Sequence, residues 1–364
     1  MNTFIIWCMR NILKSGVVMK VIIEDVTDLE SSIKKVFNYF NCKNLANKNI
    51  FIKPNMLRIA HPDECIITDP RLLGRVTELL LESGAVVMVG DNPIPQGLDE
   101  IEVAKRCGLF SASCGTFRNI GRFVKRVKLK NKKVKGVYVS KEILECDILI
   151  SIPKFKTHEL TTLSLAIKNQ FGIIPGGLKP KLHSECFRLE DFCNLLIDIY
   201  QIRPPDLIII DCIKVRDARG RLYNPNKLIA GDNGFAIDYV CSLLAGIDPA
   251  TNPLVNIALK KKLFEPRSVE IIGNLEPIKD FATPFYFPLR GVFANLGNLI
   301  FSKFASYRLP VFNQKYCNNC RLCENVCPSR AIQSKKIDYK RCIKCYCCIE
   351  VCPNNAIGQK LKIL

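Results

Sequence analysis

Two cysteine runs near the end of the chain carry its strongest chemical signal. Cys317, Cys320, Cys323 and Cys327 precede Pro328, and Cys342, Cys345, Cys348 and Cys352 precede Pro353, so both read C-x2-C-x2-C-x3-C-P. Thiolates are soft ligands for iron–sulfur clusters, and this spacing is one that such clusters use. Three cysteines two apart wrap a loop around one cubane and reach three of its irons; the fourth thiolate has to come from elsewhere. The repeat runs past the ligands, because Ala331 and Ile332 return as Ala356 and Ile357. Structural zinc is the competing reading, since C-x2-C pairs also build zinc sites. Zinc has no use for the tight triplet or for the proline after each fourth cysteine. Cys347 lies between ligands, fits no place in the pattern, and is read as a small packing residue.

With this spacing the region resembles a bacterial-type ferredoxin holding two [4Fe-4S] clusters. The resemblance implies a crossed ligand set, with one cluster on Cys317, Cys320, Cys323 and Cys352 and the other on Cys342, Cys345, Cys348 and Cys327. Crossing of that kind makes the module one folding unit that depends on iron and sulfide. Beyond Val311 there are ten Lys or Arg and three Asp or Glu. Part of that excess offsets the negative charge of clusters on thiolates. The other ten of the 19 cysteines are scattered singly through apolar segments. Thiolate ligation requires reduced cysteine, so a reducing compartment is expected, most simply the cytoplasm.

A tail of this kind needs a larger partner domain to act on, and the chain supplies one. Its 364 residues are 48% hydrophobic and 24% charged, which suits a globular core and excludes disorder or a small disulfide scaffold. The short apolar run near the amino terminus is followed, not preceded, by Arg10, Lys14 and Lys20, the wrong order for a secretory signal. MKVIIEDV, from Met19, reads as a first strand, leaving 1–18 as an N-terminal extension. No stretch is expected to span a membrane. The formal net charge is +19, and ten of the basic residues fall between Arg118 and Lys141 with no acid among them. There Val127 and Leu129 alternate with Lys128 and Lys130, and Val137 and Val139 follow an NKK turn. That pattern predicts a hairpin with one buried face and one basic face, available to an acidic redox partner. Nucleic acid is not the expected partner, because no recognition motif or stacking aromatic signature accompanies the charge.

Four short apolar runs read as buried strands: NIFI (49–52), AVVMV (85–89), DILISI (147–152) and DLIIID (206–211). Continuous rather than alternating apolar residues are what a parallel sheet covered on both faces produces. Between the first two, Asp69 can cap a helix that opens on Pro70, and Gly84 suits its left-handed stop. The fold expected is therefore α/β, a covered mostly parallel sheet domain, followed by a small α+β ferredoxin-like iron–sulfur domain. Ligands bind such sheets beyond the carboxyl ends of the strands. Those ends deliver Lys53 and Asn55, Asp91 and Asn92, Lys154, Lys156 and His158, and Asp211. Downstream, Lys168 and Asn169 precede a glycine-rich stretch (Gly172, Gly176, Gly177) that leads to His183. Lys154, Lys156 and His158 are the candidate catalytic residues, with the lysines binding an anionic small molecule and His158 acting as acid or base. Lys53, Asn55, Asp91, Lys168, Asn169 and His183 are the candidate ligand-binding residues. Asp232 or Asn233 is read as a helix cap. No dinucleotide fingerprint G-x-G-x-x-G is present, and the sequence leaves open whether an organic cofactor joins the clusters.

IFIKPN, TDP with ESGA, DILISIPKFKTH, LAIKNQFGI, KLH and GDNGFAIDYV together resemble the domain-of-unknown-function 362 family from about Val21 to Ala258. The family's reaction is not established, so the resemblance marks positions, Asp238 among them, without assigning roles. Thr-Asp-Pro at Thr68 replaces the Thr-His-Pro common in relatives. The domains expected are the extension 1–18, the α/β domain 19–258, an aromatic-rich connector 259–312 and the cluster domain 313–364. Six phenylalanines from Phe281 to Phe304 are expected to pack the two domains together. The function expected is an iron–sulfur oxidoreductase or electron-transfer protein exchanging electrons with an anionic ligand. The alternatives are a carrier whose α/β domain docks a redox partner, or a cluster scaffold.

Overall fold

The computed structural model describes residues 18–284 and 307–362. Seven strands form one sheet: β1 (Met19–Asp25), β2 (Asn49–Pro54), β3 (Val86–Val89), β4 (Ile148–Ile152), β5 (Leu207–Cys212), β6 (Lys227–Gly231) and β7 (Val269–Gly273), in the order β7-β1-β6-β5-β4-β2-β3. β3, β2, β4 and β5 run parallel, β6 is antiparallel to both of its neighbours, and β7 is parallel to β1. The sheet is thus mostly parallel, and successive residues explain the continuous apolar runs. Ile50, Ile52, Ile150 and Ile152 face the helices Leu29–Tyr39 and Pro70–Glu82. Phe51 and Leu149 face the other way, toward the helices Leu189–Tyr200 and Pro253–Lys260. The helix Pro70–Glu82 starts as its sequence specifies: the Asp69 carboxylate accepts from Arg71 N, Pro70 takes the first turn, and Gly84 follows the end at φ +79°. Asn233, rather than Asp232, caps the helix Gly234–Leu244.

Two boundaries move. β7 lies in the segment expected to be a connector, and it pairs with β1 from Met19↔Val269 to Ile23↔Gly273, so the α/β unit extends beyond residue 258. Tyr307–Phe312 pairs antiparallel with Ile357–Lys362, so the cluster module begins before residue 313. Phe281 is buried against Phe155 and Tyr223 in the α/β core. The other phenylalanines of the connector, and residues 1–17, lie outside the described residues. The basic hairpin forms from Val124–Lys128 and Gly136–Ser140, with Val137 and Val139 buried and Lys125, Lys128 and Lys130 exposed.

The cysteine module repeats in its backbone as well as its sequence. Short helices Leu322–Val326 and Cys347–Val351 each carry the third cysteine of a triplet, Cys323 and Cys348. Left-handed residues recur in matched pairs, Asn319 with Lys344, Arg321 with Tyr346 and Arg330 with Asn355. Asp69→Ala should lower stability by about 1 kcal/mol through loss of the cap, moving the thermal midpoint down by roughly 2–4 °C with no change in iron content. An unchanged midpoint by scanning calorimetry would mean the carboxylate does not hold the helix start.

A lysine-rich pocket between the sheet edge and the cysteine module

The carboxyl edge of the sheet is held by two buried ion pairs. Lys53, the residue after the apolar run of β2, lies 2.8 Å from Asp91 and also donates to Asn169 Oδ1 at 3.2 Å and to the Pro54 carbonyl at 3.0 Å. Burial pulls the Lys53 pKa down while Asp91 works to restore it. The other Asp91 oxygen accepts from Met56 N at 2.7 Å. Gly172 makes this packing feasible, because a Cβ there would stand 2.0 Å from Asp91 Oδ1 and 2.5 Å from Lys53 Nζ. The second pair is Lys154 with Asp211 at 2.9 Å, and Asp211 also accepts from Asp69 N at 2.7 Å. Lys154 is therefore engaged in joining β4 to β5 and does not line the pocket described next. This candidate catalytic residue thus lies in a buried ion pair outside that pocket. Asp238 accepts from Ala166 N and Ile167 N, anchoring the short helix Ala166–Asn169, and burial pushes its pKa up to about 8.

Beside these pairs is a pocket partly open to solvent. Asn55, Asp91, Lys156, Lys168, Asn169 and His183 line it, so the structure brings together most of the candidate ligand-binding residues with one of the candidate catalytic ones. Lys156 Nζ donates to Asn55 Oδ1 at 2.6 Å and to the Ile66 carbonyl at 2.7 Å. Burial, followed by the neighbouring charge of Lys168, holds its pKa well below the lysine range. His183 is stacked on Phe192 with ring centroids 4.2 Å apart, and burial pushes its pKa down to about 3.

Lys179, Cys347 and Glu350, absent from the candidate set, also line the pocket. Lys179 follows the glycine-rich stretch, where Gly176 packs so tightly that a Cβ would stand 2.3 Å from the Pro93 carbonyl. That approach brings Lys179 Nζ onto the Asn92 carbonyl and 5.6 Å from the centre of the Phe171 ring. Burial lowers its pKa to about 8. Cys347 and Glu350 enter from the cysteine module, on the helix Cys347–Val351. Ile94, just past the end of β3, packs against Val326, Cys347 and Val351 and seats that helix on the sheet edge. Cys347 is thus the packing residue expected, and it also forms part of the pocket wall.

His158 stands behind Glu350 rather than in the pocket lining. Its Nδ1 accepts from Leu160 N and Thr161 N, both at 3.1 Å. The ring proton is therefore on Nε2, which donates to Glu350 Oε1. Burial, then Lys168, pushes the His158 pKa down to about 4, so the ring is neutral at pH 7. Burial works to raise the Glu350 pKa, but Lys168 (Nζ 3.9 Å away) and His158 outweigh it and hold the carboxyl well below its usual range. With both ring nitrogens engaged, His158 positions a carboxylate instead of presenting a free acid or base.

The cysteine module suits thiolate-held clusters. Cys317, Cys320, Cys323 and Cys352 line a cavity of about 400 Å³, which joins the fourth residue of the second run to the first triplet. Cys327 in turn lies within electrostatic reach of Cys342 and Cys348. The described cysteines are all free of disulfides. Among the described residues no three His, Cys, Asp or Glu side chains converge on a single-ion position. Ala331 N donates to Cys327 Sγ and Ala356 N to Cys352 Sγ, each at 3.2 Å, the kind of contact that tunes cluster potentials. Cys347→Ala should leave iron and acid-labile sulfide per chain unchanged, whereas Cys348→Ala should lose about half of each or more. Equal losses would make Cys347 a ligand. Gly172→Ala should cost roughly 3–5 kcal/mol by splitting the Lys53–Asp91 pair; denaturant unfolding with an unchanged midpoint would refute that packing.

Comparison with known proteins places this geometry among relatives. A family model described as a domain of unknown function, DUF362, matches residues 50–242, and one described as a 4Fe-4S dicluster domain matches residues 309–355. The chain is 27% identical over 244 residues to a thylakoid-associated protein, sll1697, of Synechocystis sp., covering 61% of this chain and 70% of that protein. A solved structure of the lactate racemase apoprotein from Thermoanaerobacterium thermosaccharolyticum aligns with a TM-score of 0.41 and 13% identity, covering 64% of this chain and 58% of that one. This chain therefore spans less than two thirds of that structure's length. Among the described residues no helix is long and apolar enough to cross a membrane. With the iron–sulfur dicluster domain at its carboxy-terminal side and the matching model covering more than half of its length, the chain belongs to the DUF362 family.

Proposed function

We propose that this chain is an iron–sulfur redox protein in which two [4Fe-4S] clusters exchange electrons with an anionic ligand bound in the lysine-rich pocket. The observation that carries this reading is the shared wall. Cys347 and Glu350 interleave with the ligand cysteines Cys345, Cys348 and Cys352, and they line the same pocket as Lys156, Lys168 and Lys179. When bound, the clusters supply and accept electrons one at a time. The residues of the pocket do the rest. Lys156, Lys168 and Lys179 hold the anion, Asn55 aims Lys156, and Met56, Leu57 and Phe171 limit water around it.

The first cysteine triplet supports the other end of the path. Cys320 is exposed, Tyr316 is 61% exposed, and Arg321, Arg330, Lys336, Lys340 and Arg341 of the same module are exposed as well. A redox partner protein with an acidic face would meet the chain there. We place this activity in a reducing compartment, most simply the cytoplasm, because it requires thiolates. The second reading is a carrier whose α/β domain only docks a partner. The basic hairpin favours it, because Phe123 and Tyr138 stand 64% and 46% exposed among its lysines and arginines.

Anaerobic purification followed by mass spectrometry of released small molecules separates the two. Wild-type protein should retain a small anion, and Lys156→Gln and Lys168→Gln should each lose it with iron content intact. Retention unaffected by either substitution, or no retained anion at all, would favour the docking reading.

A further inference from the structure

Resting on the reading of the pocket as an anion site, we infer that it is built for a small dianion, a molecule with two negative charges on oxygen such as a dicarboxylate or a phosphate group, and not for a monocarboxylate. The argument is one of charge and hydrogen-bond accounting among the described residues. Four ammonium groups meet in and beside the pocket, on Lys53, Lys156, Lys168 and Lys179, and two carboxylates meet them. Asp91 is taken up by Lys53 at 2.8 Å, Met56 N and Asn92 N. Glu350 stands 3.9 Å from Lys168 and is held by His158. Neither Lys156 nor Lys179 has a carboxylate within 4.0 Å, so two positive charges are without an anionic partner.

These two lysines come from different walls. Lys156 begins the small hairpin of Lys156–His158 and Thr162–Ser164, whereas Lys179 begins the helix Lys179–Glu185. Their contacts leave donors free: Lys156 uses two of its N–H groups, on Asn55 Oδ1 and the Ile66 carbonyl, and Lys179 uses one, on the Asn92 carbonyl. A buried ammonium with open donors needs acceptors that carry charge. One negative group would serve one of these cations and leave the other exposed to the same penalty; two negative charges serve both.

Burial pulls both lysines toward their neutral forms in the absence of such a partner, Lys179 to about 8. Asp91, Lys53, Lys168 and Glu350 face Lys179, and Lys168, Glu350, Asp91 and Arg58 face Lys156. A bound dianion raises both pKa values. Binding near pH 8 should therefore take up protons, and affinity should fall as the pH rises further.

Calorimetric titration of the anaerobic full-length protein with inorganic phosphate, succinate, acetate and chloride tests this. Phosphate or succinate should bind at least about tenfold more tightly than acetate, a difference of the size one charge-assisted contact provides. Which of the two binds identifies the source of the charge. Proton uptake should appear as a dependence of the heat on buffer ionisation enthalpy at pH 8. Lys179→Gln should weaken dianion binding about tenfold or more and reduce that uptake, whereas Lys128→Gln on the basic hairpin should change neither. Acetate binding as tightly as the dianions would overturn the inference and leave the anion site standing. No binding by any of these anions would overturn both.

Discussion

An ammonium group inside a protein must find negative charge or give up its proton, and five of them converge at the carboxyl edge of this sheet. That constraint orders the local structure. Lys53 is matched by Asp91 and Lys154 by Asp211, and both pairs tie neighbouring strands or loops together. The cost of leaving a buried charge unpaired is several kcal/mol, so each match fixes the backbone that carries it. Gly172 shows how little slack remains, since one added carbon would collide with both members of the Lys53–Asp91 pair. Lys156 and Lys179, which have no such match, line the pocket together with Lys168, which faces Glu350.

The same constraint joins the two parts of the chain. Glu350 lies between Cys348 and Cys352 in sequence, yet its carboxylate is held by His158 and Lys168 of the α/β domain. Ile94 supplies the apolar half of the contact against Val326, Cys347 and Val351. The cysteine module is consequently a wall of the pocket, which lies next to the second cysteine triplet without any intervening domain. An orienting histidine in a fixed tautomer suits such a wall, because a neutral ring holds the carboxylate without cancelling its charge.

The sequence made some of this legible and hid the rest, for physical reasons. NIFI, DILISI and DLIIID announce central strands because both faces of those strands are covered. The Asp69–Pro70 start and the Gly84 stop are local devices and are readable as such. β6 and β7 are not, since KLIAG and VEIIG are short and sit next to turns and charges. Lys154 and Lys156 look equivalent on paper, two residues apart on one segment. Asp211 on the neighbouring strand separates their roles, and no spacing within the segment reveals that. Lys179 and Glu350 likewise read as ordinary solvated charges until tertiary contact brings them to one pocket. The cysteine spacing was legible as a 4Fe-4S dicluster domain, because cluster geometry constrains contiguous residues.

The most direct test of the account is whether the pocket abuts one set of cluster ligands and not the other. Redox titration of full-length Lys168→Glu, followed by electron paramagnetic resonance, addresses it without knowledge of the ligand. Reversing that charge should make reduction harder at the cluster held by Cys342, Cys345, Cys348 and Cys327 and leave the other potential unchanged. Two unshifted potentials, or two that shift alike, would contradict the shared wall on which the account rests.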